Sequence, residues 1–465
     1  MKLNNKFLLL ICGGSLALAS CKKELDKQPT DSFSNTNAYQ TIAQIQLGVN
    51  EAYGRYSAYA NDMYVNALVS DESKLGSGNA GQGALTYRFQ YTSDATAGGD
   101  VTSAYFSYYA MIDQINTVLS YLPTVAAAPS DEPRRNALKG QLLALRGIAH
   151  FSLLEFYSDR YDANKLGVPI MLQSDVFAKP KRSTMGEVMA QIEKDLSAAK
   201  DLLPSVNAST FSDTVMNQIN VTGYQARIAL YKRDYQSAIN YATTVINSAV
   251  KPLSSGATFQ DIWTDANNAE TLFRRRYASS ASIGSLWTTT GGLIYIAPSD
   301  KLVASYASTD IRKATYIGGS SGNYYVNKFF TSSRGGRAVD IKAMRIAEMY
   351  LIRAEAYARN TTPDLVAGAA DLNALRTARI TGYVNQTFGT ADALVSAVMD
   401  ERFKELCFEG FRFFDLKRNG LPVQRLASDA NAAWQTLTPG DYRFIMPIPG
   451  QEILANPNTV QNPGY

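Results

Sequence analysis

The sequence predicts a predominantly α-helical protein with minor β-structure, in which helix pairs form one scaffold and long irregular loops extend from it. Three observations support this class. Residues 134–157 carry apolar side chains at helical spacings of three and four over their whole length. Residues 229–242 combine small and aromatic residues around a short polar turn, as two closely packed helices do. Residues 71–101 and 254–340 have no such period and are rich in glycine and aromatic residues.

The amino terminus has the pattern of a bacterial lipoprotein signal. Two lysines precede an apolar stretch, residues 7–19, which is too short to span a bilayer. Small residues then stand directly before Cys21, the residue that would be acylated after cleavage. We therefore predict a signal peptide at residues 1–20, a lipid-anchored tether at 21–33 and a single domain at 34–465. An ordinary secretory signal is the alternative.

Charge and cysteine content narrow the class of protein further. The formal net charge is +4, of which the two signal lysines account for +2, so nucleic acid is not expected as a partner. Of the three cysteines, Cys12 lies in the signal and Cys21 takes the lipid. Cys407 is left in an apolar helical context, which predicts a buried free thiol and no disulfide.

Helical periodicity predicts further elements in chain order. Residues 34–58 and 105–122 each have one apolar face, and a proline follows the second segment. Another helix is predicted at residues 185–203, with Thr184 as its N-cap and a proline directly after its end. These helices would supply the scaffold between the long loops.

The segment at residues 229–242 indicates how the helices pair. It has small alanines where two antiparallel helices would approach and tyrosines that would fill the space across the turn. In this it resembles the turn and second-helix start of a tetratricopeptide repeat. Residues 341–378 show a similar pattern. Because such repeats need neighbours to bury their faces, we predict helix pairs within about 105–157, 185–250 and 341–380.

The two long loops contain the residues best suited to bind a ligand. An exposed aromatic ring stacks on the C–H face of a sugar, and carboxylate, amide or guanidinium groups bind its hydroxyls. The predicted platform residues are Trp263, Trp287, Tyr295, Tyr316 and Tyr324. The predicted polar partners are Asp71, Asn79 and Arg88. Core packing is the alternative for each ring, above all for both tryptophans, which have apolar neighbours.

Catalysis, nucleotide binding and metal binding have little support. Residues 76–81 match the spacing of a dinucleotide-binding glycine motif, but no strand pattern precedes them and no helix pattern follows. His150, the sole histidine, lies in an apolar helical pattern, where core packing is expected. Residues 265–270 offer oxygen ligands but lack the glycine and later glutamate of a calcium loop, so structural calcium is only an alternative. We therefore predict that the protein binds no cofactor and is not an enzyme. The alternative is a surface hydrolase that would use Asp71 beside Glu72.

Residues 401–418 are dense in charged and aromatic side chains. Their apolar residues recur at spacings of three and four, and Gly410 permits a break midway. Arg412 stands three residues from both Glu409 and Asp415, so we expect it to pair with them along the surface. The segment is therefore predicted to hold the fold and not to touch a ligand.

Five segments occur in the order and spacing of one known family. They are residues 142–157 (LLALRGIAHFSLLEFY), 346–358 (IAEMYLIRAEAYA), 401–418, 447–457 (PIPGQEILANP) and 461–465 (QNPGY). Together with the lipoprotein signal, they resemble the SusD/RagB family of outer-membrane nutrient-binding lipoproteins of Bacteroidetes. The resemblance extends over nearly the whole chain.

That resemblance implies one α-helical domain of four tetratricopeptide-like pairs, anchored by lipid at Cys21 and displayed on the extracellular side of the outer membrane. It also implies a SusC-like TonB-dependent barrel as partner and an oligosaccharide ligand that is captured for import. Ligand-binding residues differ between members of the family, so none is carried over. Two alternatives stay open: a scaffold or lid that only gates the transporter, and a binder of another nutrient such as a peptide.

Overall fold

The computed structural model describes residues 38–277, 283–289, 291–320, 322–335 and 337–465. Within these ranges the protein is predominantly helical with a few short strands, which confirms the predicted fold class. The predicted signal peptide, Cys21 and the tether lie outside them. No helix in the described ranges combines the length and the apolarity that a membrane crossing needs.

The helices, numbered along the chain, are α1 (Ile42–Arg55), α2 (Tyr59–Val69), α3 (Ala84–Tyr87), α4 (Ala95–Tyr121), α5 (Glu132–Tyr157), α6 (Met185–Leu202), α7 (Gln218–Lys232), α8 (Tyr235–Asn247), α9 (Gly256–Ile262), α10 (Asp300–Ser305), α11 (Ile311–Tyr316), α12 (Ile346–Arg359), α13 (Leu365–Arg379), α14 (Ala391–Glu405), α15 (Arg412–Asn419) and α16 (Gly450–Ala455). The strands are β1 (Ser73–Leu75), β2 (Thr271–Arg275), β3 (Ile296–Pro298), β4 (Ile317–Gly318), β5 (Tyr325–Val326), β6 (Ile341–Arg345), β7 (Val423–Gln424) and β8 (Thr436–Leu437). They pair as antiparallel two-stranded sheets: β1 with β3, β2 with β6, β4 with β5 and β7 with β8.

The long helices pack on one another to build the scaffold. α4 packs on α5, α5 on α6, α7 on α8, and α12 on α8, α13 and α14. Gly140 allows α5 and α6 to approach closely, since a Cβ there would lie 3.0 Å from the carbonyl oxygen of Ala199. Helices within each predicted pair are therefore in contact, whereas their division into four repeat units stays a prediction.

Capping interactions confirm two predicted boundaries. α6 begins where the sequence predicts, because Thr184 Oγ1 accepts a hydrogen bond from the Glu187 N–H and the Glu187 carboxylate accepts one from the Thr184 N–H. α7 and α8 form the hairpin predicted at residues 229–242. Arg233 turns the chain in the left-handed conformation (φ +66°), and Asp234 caps α8.

α4 begins earlier than predicted. The sequence indicated a loop to residue 101, because Gly98 and Gly99 interrupt the apolar period. Asp94 accepts a hydrogen bond from the Thr96 N–H at 2.6 Å and starts the helix at Ala95 instead. A good N-cap therefore outweighs the modest helix propensity of the residues that follow it.

Two chemically reactive side chains, His150 and Cys407, are buried as predicted. His150 Nδ1 donates to the carbonyl of Arg146 at 3.0 Å, and Nε2 accepts from the Met171 N–H at 3.3 Å. Burial lowers the pKa of His150 to about 4 and raises the pKa of the Cys407 thiol to about 12. Both side chains are thus neutral parts of the core.

A layer of buried ion pairs crosses the centre of the fold. Glu405, at the end of α14, accepts from Arg345 of β6 at 2.8 Å and from Arg379 of α13 at 3.0 Å. Glu409 accepts from Arg345 and from Lys328, each at 2.7 Å. All five side chains are fully buried or nearly so. This charge layer joins the helices to the segments that lead into the long loops.

Residues 401–418 hold the fold, as predicted, but with other charge pairs. Arg412 forms no ion pair with Glu409 or Asp415 within the described chain and binds Asp71 instead. Glu409 binds the cations of the charge layer. The chain turns between α14 and α15, so Asp71, which is distant in sequence, comes closer to Arg412 than the acids three residues away. Dissolved ions screen such buried pairs less than exposed ones.

Candidate functional site

Three of the predicted platform residues lie in the core. Trp263 is 2% exposed, and Trp287 and Tyr316 are 0% exposed. Lys328 Nζ lies 4.3 Å from the ring centroid of Trp263 and 3.8 Å from that of Tyr316, and Trp287 packs edge-on against Phe408. Trp263 and Tyr316 cover the Lys328 ammonium of the charge layer, Trp287 packs among core rings, and none of the three offers a face to a ligand. Their prediction as an exposed platform is wrong.

Asp71 is also buried, with 1% exposure. Its carboxylate binds Arg412 (Nε–Oδ1 2.7 Å, Nη2–Oδ2 2.9 Å) and Lys301 (Nζ–Oδ2 2.6 Å). Burial by itself would raise the pKa of Asp71, but Arg412 and Lys301 outweigh it and hold the pKa below its usual value. For Glu72, burial raises the pKa to about 8. Neither carboxyl is accessible to a sugar, so the prediction of Asp71 as a ligand contact is wrong.

β1 leads into a glycine-rich loop, residues 76–83, that continues the pairing with β3. The Gly76 N–H donates to the Tyr295 carbonyl at 2.8 Å, and the Gly78 N–H donates to the Ile294 carbonyl at 2.9 Å. A Cβ on Gly76 would lie 2.2 Å from the Ile294 carbonyl oxygen. The loop contains glycine here because the two backbones approach too closely for any side chain.

The Asn79 side chain holds this loop in place by hydrogen bonds to the backbone. Its Nδ2 donates to the carbonyls of Gln82 at 2.7 Å and of Tyr295 at 3.0 Å, and its Oδ1 accepts from the Gly81 N–H at 2.9 Å. Both amide hydrogens are therefore used inside the protein. Asn79 positions the loop against Tyr295 and has little capacity left for the ligand contact that the sequence predicted.

Tyr295 and Tyr324 remain accessible beside the loop. Both rings are half-buried, with one part packed on the core. Ser77 Oγ donates to Asn323 Oδ1 at 3.2 Å and so joins the glycine-rich loop to the turn between β4 and β5. Two of the five predicted aromatic residues are thus held at one edge of the fold, next to the loop that also bears Asn79.

A second accessible aromatic group lies where the loop ends. The guanidinium carbon of Arg88, the residue after α3, lies 5.0 Å from the ring centroid of Trp434. Both side chains are half-buried, and Arg88 Nε is a buried donor without a hydrogen-bond partner in the described residues. Arg425 Nη1 donates to the carbonyls of both Tyr87 and Trp434, which fixes the two segments together.

Trp434 is not among the residues that the sequence analysis selected. It lies outside residues 71–101 and 254–340, the two loops whose composition predicts a ligand site. A signal was available: Trp434 stands between Ala433 and Gln435, whereas Trp263 and Trp287 each follow a large apolar residue. A polar or small neighbourhood favours an exposed ring over a core ring.

These residues define the loop face: residues 76–88, with Tyr295 and Tyr324 beside the glycine-rich part and Trp434 beside Arg88. The rings present apolar surface to solvent, and Arg88 offers N–H donors in a planar fork. Such an arrangement suits stacking on a sugar ring and hydrogen bonding to its hydroxyls. Carboxylates are not part of it.

The described chain contains no group of three or more His, Cys, Asp or Glu side chains placed to hold a metal ion. At residues 265–270, where structural calcium was the alternative, the Asp265 carboxylate binds Lys342 and Arg334. Its oxygens are thus engaged by protein cations, which fits poorly with a calcium ligand.

Two family models match separate parts of the chain. The model described as SusD family matches residues 274–465, and the one described as starch-binding associating with outer membrane matches residues 23–230. A relative, SusD-like protein P2 from Formosa agariphila, is 26% identical over an alignment that covers 97% of this chain and 98% of that protein.

Solved structures share the fold over almost their full length. A putative sugar binding protein from Bacteroides vulgatus is 25% identical, with a TM-score of 0.79 over 92% of this chain and 99% of that one. A SusD superfamily protein from Bacteroides thetaiotaomicron is 24% identical, with a TM-score of 0.81 over 91% and 100%. A laminarin binding SusD-like protein is 21% identical, with a TM-score of 0.71 over 92% and 100%.

Proposed function

The chain belongs to the SusD family, and on this premise we propose that it is a cell-surface lipoprotein that binds an oligosaccharide and delivers it, chemically unchanged, to a SusC-like TonB-dependent transporter. Glycan binding draws support from the names of its relatives, which include a sugar binding and a laminarin binding protein. Association with the outer membrane draws support from the family description.

One observation carries the location of the proposed site. Of the three tryptophans in the chain, two are in the core and only Trp434 reaches solvent, where it packs beside the half-buried side chain of Arg88. Arg88 and Trp434 offer the donor and the apolar ring that sugar recognition requires. Tyr295 and Tyr324 extend the same loop face. We place the oligosaccharide there.

The proposal of binding without catalysis has its own physical support. Glycoside hydrolysis needs two carboxyl groups that flank the scissile bond. The adjacent acidic pair, Asp71 and Glu72, is buried, and the Asp71 carboxylate is bound by Arg412 and Lys301. The loop face itself presents aromatic rings and the Arg88 side chain.

Calorimetry of the mature protein against an oligosaccharide panel tests the site. The panel should include laminarin and starch fragments, as the family names suggest. We expect one class to bind, and Trp434→Ala to weaken that binding about fivefold or more, because a stacked ring contributes on the order of 1 kcal/mol or more. Phe177→Ala is the matched control, since this ring is 87% exposed on a different segment.

The proposal fails if no oligosaccharide binds, or if Trp434→Ala, Tyr295→Ala and Tyr324→Ala all leave the affinity unchanged. Peptide binding that Trp434→Ala abolishes, with no oligosaccharide bound, would overturn the glycan as the nutrient. Anchoring is tested separately: Cys21→Ser should move the protein from the outer-membrane fraction to the soluble fraction and abolish acylation with labelled palmitate. Retention in the membrane without acyl label would contradict the predicted anchor.

A further inference from the structure

A groove runs along α4, lined by residues that do not belong to the loop face. It is a groove of about 260 Å³ between α4, residues 169–180 and α16. Phe106, Ala110 and Asp113 form the α4 side; Met171 and Val176 form the opposite side; Glu452 of α16 lies at one end. We call it the α4 groove. It shares no residue with the loop face.

The walls of the α4 groove are fixed by hydrogen bonds to the core. The Tyr109 hydroxyl donates to the Pro169 carbonyl at 2.8 Å, and Asn116 Nδ2 donates to the Met171 carbonyl at 3.0 Å. The Met171 N–H donates to Nε2 of the buried His150. The groove is therefore formed before anything binds, and a partner that binds in it does not have to order the protein first.

Large apolar side chains around this groove face solvent. Phe177 is 87% exposed and Val176 is 83% exposed, at the tip of residues 173–178. Phe106 of the groove wall is exposed, and so are Leu172, the neighbour of Met171 in the chain, and Leu454 of α16. Single exposed apolar residues are ordinary, but several around one groove are typical of a surface that a partner covers.

Three carboxylates, those of Asp113, Asp175 and Glu452, line the groove. Asp113 accepts from the Ser174 hydroxyl, Asp175 from the Phe177 N–H, and Glu452 from the Asn456 amide. Within the described residues, no lysine or arginine forms an ion pair with any of the three carboxylates. A cation would therefore gain electrostatic energy at this rim.

We propose that the α4 groove docks an extended polypeptide segment of a partner protein, one that places an apolar side chain in the groove and a lysine or arginine against the acidic rim. The floor of alanine, proline and methionine fits an aliphatic or aromatic side chain, and the exposed Phe177 adds apolar contact that a hydroxyl-rich sugar would not use. This inference goes beyond oligosaccharide binding at the loop face.

The probe is a pair of blocked tetrapeptides, acetyl-Lys-Leu-Phe-Lys-amide and acetyl-Glu-Leu-Phe-Glu-amide, titrated into the mature protein and followed by backbone amide shifts. We expect the basic peptide to bind at least about tenfold more tightly than the acidic one. Raising the ionic strength from about 0.05 M to about 0.5 M should weaken it severalfold, because both charges are exposed to solvent. Shifts should concentrate at Phe106 and Val176.

The variant Asp113→Asn/Asp175→Asn/Glu452→Gln should remove the preference for the basic peptide. Its matched control neutralises three exposed acids elsewhere, Asp131→Asn/Asp201→Asn/Asp400→Asn, and should keep that preference. Five of the six side chains are exposed and Glu452 is half-buried, and a glutamine there still accepts from the Asn456 amide, so circular dichroism should show both proteins folded.

Equal binding of the two peptides, no binding of either, or an unchanged preference in the groove variant would overturn the inference. Two other occupants would also overturn it: an oligosaccharide whose affinity is lost in Phe106→Ala and kept in Trp434→Ala, or a self-associated dimer that Phe177→Ser dissolves. Oligosaccharide calorimetry on the groove variant separates this inference from the proposed function, since glycan affinity should be unaltered there.

Discussion

The carboxylate of Asp71 and the guanidinium of Arg412 form a bidentate ion pair between residues that stand 341 positions apart. The Nε–Oδ1 distance is 2.7 Å and the Nη2–Oδ2 distance is 2.9 Å. Asp71 lies two residues before β1, the strand that leads into the loop face, and Arg412 begins α15. The pair therefore ties the base of the candidate site to the carboxy-terminal helices.

Removing the Asp71 charge should destabilise the protein. Asp71→Asn leaves Arg412 and Lys301 without their buried carboxylate, and breaking one side of such a pair costs about 3 kcal/mol. Urea unfolding at neutral pH measures the loss. The control is Asp159→Asn, which breaks the exposed pair with Lys165 and should cost no more than about 1 kcal/mol. Equal effects of the two substitutions would contradict the structural role of Asp71.

A methyl group at Gly76 should damage the loop face. In Gly76→Ala the new Cβ would lie 2.2 Å from the Ile294 carbonyl oxygen, so the pairing of the loop with β3 must open. We expect oligosaccharide affinity to fall about tenfold and stability to fall by about 1–3 kcal/mol. Gly389→Ala is the control, because a Cβ there meets nothing within 4 Å. Undiminished affinity in Gly76→Ala would show that the sugar binds elsewhere.

The buried Asp62 should make stability fall as pH rises. Burial raises its pKa to about 8, an effect that the Tyr108 hydroxyl bond only partly offsets. In the unfolded chain the same carboxyl releases its proton near pH 4, so between about pH 4 and 8 the folded state holds a proton that the unfolded state has lost. Each pH unit in that window therefore lowers stability by up to about 1.4 kcal/mol through this group.

Asp62→Asn, which cannot ionise, should remove that contribution. The free energy of unfolding of Asp62→Asn, relative to that of the wild type, should increase as pH rises from about 5 to about 8. Urea unfolding at each pH measures it. Asp201→Asn, on the surface of α6, should leave the pH dependence as it is. A wild-type profile parallel to that of Asp62→Asn would mean that Asp62 is ionised in the folded protein.

The buried Glu355 should have the opposite pH dependence. Burial alone would raise its pKa, but Arg418 (Nη2–Oε2 2.6 Å) and Arg359 outweigh it and lower the pKa to about 2. Its stabilisation is complete above the unfolded pKa of about 4.3 and is lost as pH falls toward 2. Glu355→Gln should therefore cost about 3 kcal/mol at pH 7 and almost nothing near pH 2.

The matched substitution is Glu193→Gln, which breaks the exposed pair with Lys232 and should cost less than about 1 kcal/mol at either pH. Both variants can be followed by thermal unfolding across the acid range. A constant difference between Glu355→Gln and the wild type at all pH values would show that Glu355 stabilises by packing and not by charge.

Local patterns in the sequence were enough to predict the helical class and several helix boundaries. The capping box at Thr184 and the hairpin around Arg233 depend on residues within a few positions of each other, which is why they are readable without coordinates. The same holds for the burial of His150 and Cys407, since both lie in periodic apolar segments. The role of residues 401–418 in holding the fold was predicted on the same basis.

Exposure and charge pairing were decided by tertiary structure alone. Trp263 and Trp434 are the same residue type, yet Trp263 packs against Lys328 in the core, whereas Trp434 reaches solvent beside Arg88. Arg412 pairs with Asp71 and not with the acids three residues away, because the fold brings Asp71 next to it. Periodicity within one helix determines which face is apolar, but which rings and charges remain free depends on contacts between segments hundreds of residues apart, and no local pattern encodes those.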